Sequence, residues 1–303
     1  MNKHLACCLF FLLVCGCAGA QTGIRELVGK YRVQQDKETL GLISAHPNKK
    51  ETAEAILALS LDTNITEHKG TVQLLKYLGR ANKDAVIRQT YVRALSEIMW
   101  RSPLTAGSVF KVMQQFDRKD FTQEVKDDLM TYIAERKDGR GEAILLLGFI
   151  GSRNDIDFLK NLEHYASIGK KDKYKVMLAL VRLNDPATVE EFLGELRQKR
   201  VNDELVSNLL PDLIYTHNPE VYRFLLAELH NEIPACLSAN NDSEEQILCS
   251  YRILEQIAAE IRDFPVTTDG SGELSGDYPA ALSKARQWYS SNGESFSINA
   301  DHF

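Results

Sequence analysis

The chain has 303 residues, with 36 Lys and Arg against 42 Asp and Glu and a formal net charge of −6. This mildly acidic balance removes the electrostatic case for nucleic acid and for broad adhesion to anionic lipid. A chain of this length can bury a full core without a disulfide scaffold or a structural metal.

Residues 1–20 read as a targeting segment and stand apart from the fold. Lys3 gives a positive start, the apolar run Leu5 to Val14 follows, and Ala18-Gly19-Ala20 forms an A-x-A-like peptidase site, placing cleavage between Ala20 and Gln21. The apolar run is about half the roughly 20 residues a membrane-spanning helix needs, and no later run approaches that length. A second route stays open, because Val14-Cys15-Gly16-Cys17 resembles the lipobox of bacterial lipoproteins, which implies lipid on Cys17. Lipoproteins usually follow that cysteine with a polar tether, whereas here the helical pattern Ile24 to Val28 begins almost at once, which favours Ala20. The protein is therefore expected to be exported and periplasmic, with a membrane reached only through a lipid anchor at Cys17.

From residue 24 onward apolar residues recur at helical spacing and strand-like alternation is scarce, so the fold class is all-α. Residues 21–48 are expected to form capping helices, and 49–231 to form a run of paired helices. Thr52 to Leu59 and Val86 to Leu95 carry Ala and Leu on one stripe, as helices buried against neighbours do. Residues 120–137 add a helix with no obvious partner, an irregularity in the run. Further on, Asn184-Asp185-Pro186 and His217-Asn218-Pro219 are short turns in which Asp185 or Asn218 can cap a helix and the proline suits its first position. Such short turns favour antiparallel pairs.

The turns repeat. Gly151 to Asn184 is 33 residues, Pro186 to Pro219 is 33, and the pairs Phe158-Leu159, Phe192-Leu193 and Phe224-Leu225 follow at 34 and 32. Self-similarity at this period marks a helical solenoid. Ala143 to Gly151 and Met177 to Pro186, each followed by a helix, resemble HEAT repeats of the short bacterial kind, and Asp84 to Arg88 leading to Ala94-Leu95 looks similar. The resemblance covers 140–231 well and 50–116 fairly, and the related armadillo-like and tetratricopeptide solenoids stay open. It implies a right-handed α-solenoid of antiparallel helix pairs with a concave surface for a protein partner. Asp157, Lys160 and Glu163 of one second helix, and Glu190, Glu191, Glu195 and Arg197 of the next, would make that surface polar.

Residues 232–303 read as C-terminal capping helices. An irregular stretch starts at Ile233, a long helix runs from about Ser243 to Asp263, an exposed Gly/Ser-rich loop fills 265–277, and a last amphipathic helix spans Pro279 to Ser290. Cys7, Cys8, Cys15 and Cys17 fall in the targeting segment. The remaining pair, Cys236 and Cys249, lies 13 apart and reads as one disulfide in an oxidising compartment, two buried thiols being the alternative.

Catalytic and cofactor chemistry is not indicated. His46, His68, His164, His217, His230 and His302 show no paired metal spacing. His217 and His230 could meet between two helices of one pair, but solvated or capping histidines are the preferred reading. No G-x-S-x-G motif occurs, and Gly270 to Gly276 lacks both the preceding strand and the lysine of a phosphate loop. Asp269, Glu273 and Asp277 lack the EF-hand ligand order and read as turn-forming acids. Asn64-Ile65-Thr66 and Asn241-Asp242-Ser243 match a glycosylation acceptor, which matters only in a eukaryotic exporter. No metal and no cofactor are expected. The leading expectation is an exported, non-catalytic interaction scaffold of the cell envelope; a HEAT-like enzyme and a purely structural envelope protein are the alternatives.

Overall fold

The computed structural model describes residues 23–102, 105–162, 168–238, 245–293 and 295–303. Cys17, Ala20 and Gln21, together with Glu163, His164 and Asn241, lie outside the described residues. The chain divides into two compact units, 1–101 and 102–303. The division falls inside the span expected to be one run of repeats.

The first unit contains α1 (Ile24–Gln34), α2 (Lys37–Ala45), α3 (Lys49–Ser60), α4 (Ile65–Ala81) and α5 (Ala85–Arg101). Helix α1 packs on α2, α3 and α4, and α3 packs on α5. Val28, Ile43, Ile56, Leu75, Leu95 and Ile98 are fully buried between them. Residues 24–45 thus supply part of this core. Asp36 and Asn48 start α2 and α3 by accepting the Thr39 and Glu51 N–H groups. Helices α1 and α4 touch at Gly70, where a Cβ would lie 2.1 Å from the Arg32 carbonyl oxygen, so only glycine permits the approach. Arg32 itself is buried, its charge met by Glu67 at 3.3 Å and Asp62 at 3.6 Å.

The second unit is built on α6 (Ala106–Met113), α7 (Gln123–Glu135), α8 (Arg140–Ile150), the short α9 (Ile156–Lys160), α10 (Lys170–Arg182), α11 (Pro186–Leu196), α12 (Leu210–Tyr215) and α13 (Pro219–Glu228). Two later helices, α14 (Cys249–Ile257) and α15 (Tyr278–Asn292), complete it. Helices α8, α10, α12 and α14 pack on one another in that order; α10 also meets α9 and α11, and α13 meets both α11 and α12. The helix expected near 120–137 is α7, which packs on α8. Asp185 and Asn218 cap α11 and α13 as their turns suggest, accepting the N–H groups of Thr188 at 3.2 Å and Glu220 at 2.9 Å. Of the aromatic-Leu pairs, Leu159, Leu193 and Leu225 are all buried, while Phe158 and Phe224 are half-exposed.

Ion pairs tie successive helix pairs together. Lys126 reaches Asp155 at 3.2 Å and Lys160 reaches Asp185 at 2.7 Å, while Arg140 meets Asp172 at 3.7 Å and Lys175 meets Asp212 at 3.3 Å.

The protein is predominantly rather than wholly α-helical. In place of one long helix from Ser243 to Asp263, β1 (Pro234–Leu237) pairs antiparallel with β2 (Gln246–Leu248), and α14 starts only at Cys249 and ends at Ile257. The disulfide joining Cys236 to Cys249, with Cα atoms 5.0 Å apart, holds the entry of α14 against β1. Among the described residues no helix is long and apolar enough to cross a membrane.

Candidate functional site

Two features of the second unit combine exposed chemistry with a buried frame. The first is a cleft of about 510 Å³ between α10, α11 and the segment leading into α12. That segment, Leu205–Leu209, is a π turn, in which the Leu210 N–H reaches the Leu205 carbonyl five residues back. Pro211 explains it: proline has no N–H, and its ring would strike the carbonyl four residues earlier in an α-helix, so the turn widens. The widening sets Leu205, Asn208 and Leu209 opposite Tyr174 and Met177 of α10 and Phe192, Glu195 and Leu196 of α11. Phe192, Leu196 and Leu205 form a buried floor, and the rim carries exposed Glu195, Lys199, Arg200, Glu204 and Asn208. Burial holds the Tyr174 phenol above its ordinary range, and the charge of Asp212, which accepts its hydrogen bond, adds to this; Tyr174 is a standing donor on the wall. Of the charged residues expected on a concave surface, Glu195 lies in the lining of this cleft and Asp157 does not. Lys160 is spent on Asp185, and Glu190, Glu191 and Arg197 are not in the lining.

The second feature lies where the helices end. Phe149, Arg182 and Tyr215 are 33 residues apart, close the C-terminal turns of α8, α10 and α12, and stack. The Arg182 guanidinium sits 4.9 Å from the Phe149 ring centre and 4.8 Å from that of Tyr215, and its Nη1 donates to the Tyr215 carbonyl at 2.6 Å. Arg118 repeats the contact one step earlier, donating from Nε to the Phe149 carbonyl at 2.8 Å. Just past α10 and α12, Asn184 and His217 take left-handed backbone angles, with φ of 61° and 43°.

His217 is buried, with Nδ1 2.9 Å from Arg182 Nη2 and Nε2 3.1 Å from Glu260 Oε2. The same Glu260 oxygen lies 3.0 Å from His302 Nε2. Arg182 Nη2 also donates to the His302 carbonyl at 2.7 Å, and the Phe303 ring rests 5.2 Å from Tyr215 and 5.8 Å from Phe149. Burial lowers the Arg182 guanidinium to about 10. Burial also works to raise the Glu260 carboxyl, but hydrogen bonds from His217 and His302, with the charge of His302, outweigh it and bring it down to about 2. Burial lowers His217, whereas the hydrogen bond to Glu260 raises His302.

The ligand atoms of His217, Glu260 and His302 all lie within 4.8 Å of one another, a grouping that could hold a metal ion. The arrangement around them opposes this. Arg182 can only donate, so His217 Nδ1 must accept and its proton sits on Nε2, facing Glu260. A metal on Nε2 would turn an N–H at Nδ1 against the guanidinium. The donor set therefore fits a carboxylate receiving two imidazole N–H groups.

Sequence reasoning missed this constellation. The sequence favours a solvated or capping role for His217; the structure instead buries it and links it to Arg182 and Glu260, while His230 lies elsewhere, its ring 6.2 Å from Tyr289. The one local signal was a histidine, rather than Gly or Asn, at a helix-ending left-handed position. The acids of the 265–277 loop act locally: Asp269 accepts from Ser271 and Glu273, and Asp277 caps α15 through the Ala280 N–H. Compared with protein-family models, curated proteins and solved structures, the chain finds no match in any of the three.

Proposed function

We propose that the protein is an exported, non-catalytic interaction module of the HEAT-like α-solenoid class, whose second unit receives a segment of a protein partner in the cleft between α10, α11 and the π turn. The cleft carries this reading: an apolar floor with a two-signed polar rim is the anatomy of a site that anchors one or two large side chains and orients their neighbours. The serial packing of α8, α10, α12 and α14, and the 33-residue spacing of Phe149, Arg182 and Tyr215, support the solenoid class. The lining offers apolar area together with polar groups of both signs, Lys199 and Arg200 beside Glu195 and Glu204, which suits a mixed-charge peptide segment. Export is supported by the targeting pattern of residues 1–20 and by the disulfide, which suits an oxidising compartment.

The partner segment expected here presents Leu, Met or an aromatic residue flanked by charges of both signs. A photocrosslinking residue at Asn208, in the full chain in its native envelope, tests this. A discrete, light-dependent adduct is expected that disappears when Met177→Arg or Leu209→Arg blocks the cleft in a chain with an unchanged melting profile. An adduct indifferent to both substitutions, or none across repeated trials, overturns the reading.

A further inference from the structure

The helix-end cluster differs from the cleft in already holding an occupant. Residues 297–303 first run along the turn after α14: the Arg262 N–H donates to the Ser297 carbonyl at 2.9 Å, Ile261 bridges Ile298, and the Asn299 N–H donates to the Glu260 carbonyl at 2.8 Å. Asn299 Nδ2 adds a bond to the Ala259 carbonyl at 2.9 Å. The segment then delivers His302 to Glu260 and Phe303 to the Phe149–Arg182–Tyr215 stack.

The two sides of this contact are built differently. The socket is stiff, because Arg182 is gripped between two rings and bonded to the Tyr215 carbonyl, and the Tyr215 hydroxyl is bonded to the Leu145 carbonyl. None of those contacts involves residues 297–303. The occupant is superficial: Asp301 and His302 are exposed and Phe303 is half-buried. A pre-formed socket that pairs backbone with an extended segment and seats one aromatic side chain matches strand addition with a side-chain anchor, a recurrent way of recognising peptides.

We propose that Phe149, Arg182, Tyr215, His217 and Glu260 form a binding site for an extended segment that presents an imidazole followed by an aromatic ring, and that the segment it takes in trans is residues 297–303 of a second copy of this chain. The cis occupant shows which sequence fits the socket, and the same segment of a second copy offers the same contacts. Only residues 293–296 separate α15 from this segment, so the cis segment competes at high effective concentration and the site opens in trans when the cis anchor is weakened. None of the five socket residues lines the α10–α11 cleft, so substitutions in one are expected to leave the other intact.

The test uses the full chain carrying Phe303→Ala and a fluorescent peptide with the sequence Ser297 to Phe303, followed by polarisation. The Phe303→Ala chain is expected to bind the peptide at least about ten-fold more tightly than the unaltered chain, in which the socket is filled. A peptide with alanine in place of its final phenylalanine is expected not to bind. Arg182→Lys, added to Phe303→Ala, is expected to weaken binding at least about ten-fold, since an ammonium cannot stack between two rings while donating to two carbonyls. Should Phe303→Ala fail to fold by circular dichroism, His302→Ala replaces it with the same expectations. Equal affinity for the altered and unaltered chains, no binding to any folded variant, or binding insensitive to Arg182→Lys overturns the proposal.

Discussion

The Tyr215 hydroxyl donates a 2.6 Å hydrogen bond to the Leu145 carbonyl, 70 residues earlier in the chain, through space left open by Gly148. A Cβ at Gly148 would lie 2.4 Å from that hydroxyl and 2.8 Å from the Ala179 Cα, so this glycine sets both the α8–α10 separation and the position of Tyr215. Gly148→Ala must part the helices or expel the phenol. Urea unfolding is expected to show a loss of about 1–3 kcal/mol, the usual range for overpacking. An unchanged midpoint would mean that the helices do not approach this closely.

The Glu260 cluster makes stability depend on pH through three groups. Glu260 is held at about 2 against an ordinary 4.5, so its contribution is present above pH 4.5 and is lost as the pH falls toward 2. His302 is raised above 6.5, so its contribution is complete below pH 6.5 and is lost as the pH climbs through the raised value. His217, lowered by burial, works in the opposite sense, favouring the neutral ring and losing its contribution as the pH falls through its lowered value. Arg182, Glu260 and Asp301 are the other charges acting on His302. Hydrogen exchange of residues 297–303, corrected for intrinsic rates, is therefore expected to quicken as the pH rises above 6.5, and to lose that dependence in His302→Ala. Exchange that slows over that range would reverse the sign and refute the assignment.

Asp185 does two tasks, capping α11 through the Thr188 N–H and hydroxyl and accepting from Lys160 Nζ at 2.7 Å. Removing the cap with Asp185→Ala is expected to cost about 1–2 kcal/mol. Lys160→Ala removes an ion pair whose lysine is substantially exposed, and is expected to cost under about 1 kcal/mol. Thermal unfolding of the two variants tests the order; equal losses would show that the ion pair, not the cap, sustains the turn.

Breaking the Cys236–Cys249 bridge frees a 13-residue separation in the unfolded chain. The chain-entropy model puts its contribution at about 3 kcal/mol. The double variant Cys236→Ala with Cys249→Ala is expected to melt correspondingly lower, with exchange quickening first in β1 and β2. Titration of the native protein under non-reducing conditions should find neither thiol free; two reactive thiols would remove the bridge.

Features encoded locally were legible in the sequence. Asp185-Pro186 and Asn218-Pro219 signal caps because cap and N1 positions tolerate few residue types, and both cap as expected. The 33-residue spacing was legible through turns and leucines, although the rung it produces, Phe149–Arg182–Tyr215, differs in residue type at each step and so showed no motif. The hairpin at 234–248 was not legible: a short strand beside a cysteine scans much like the start of a helix, and the pairing comes from a partner across the loop. The cluster of His217, Glu260 and His302 was hidden for a related reason. The fold assembles it from positions 43 and 42 residues apart, with no shared element to give a spacing.

The π turn before α12 has a consequence for how one helix can serve two neighbours. Each residue of an α-helix turns the axis by about 100°, so residues five apart point about 140° away from each other. Leu205 and Leu210 are five apart, and both are buried. The wide turn acts as a phase shifter: it absorbs a residue and lets the halves on either side aim independently. The first half supplies most of the cleft wall on this segment and also reaches α14, while the second packs on α10, α13 and α14. Deleting one residue from 205–209, together with Pro211→Ala, would put both halves back in a single phase, sparing the helix while closing the cleft.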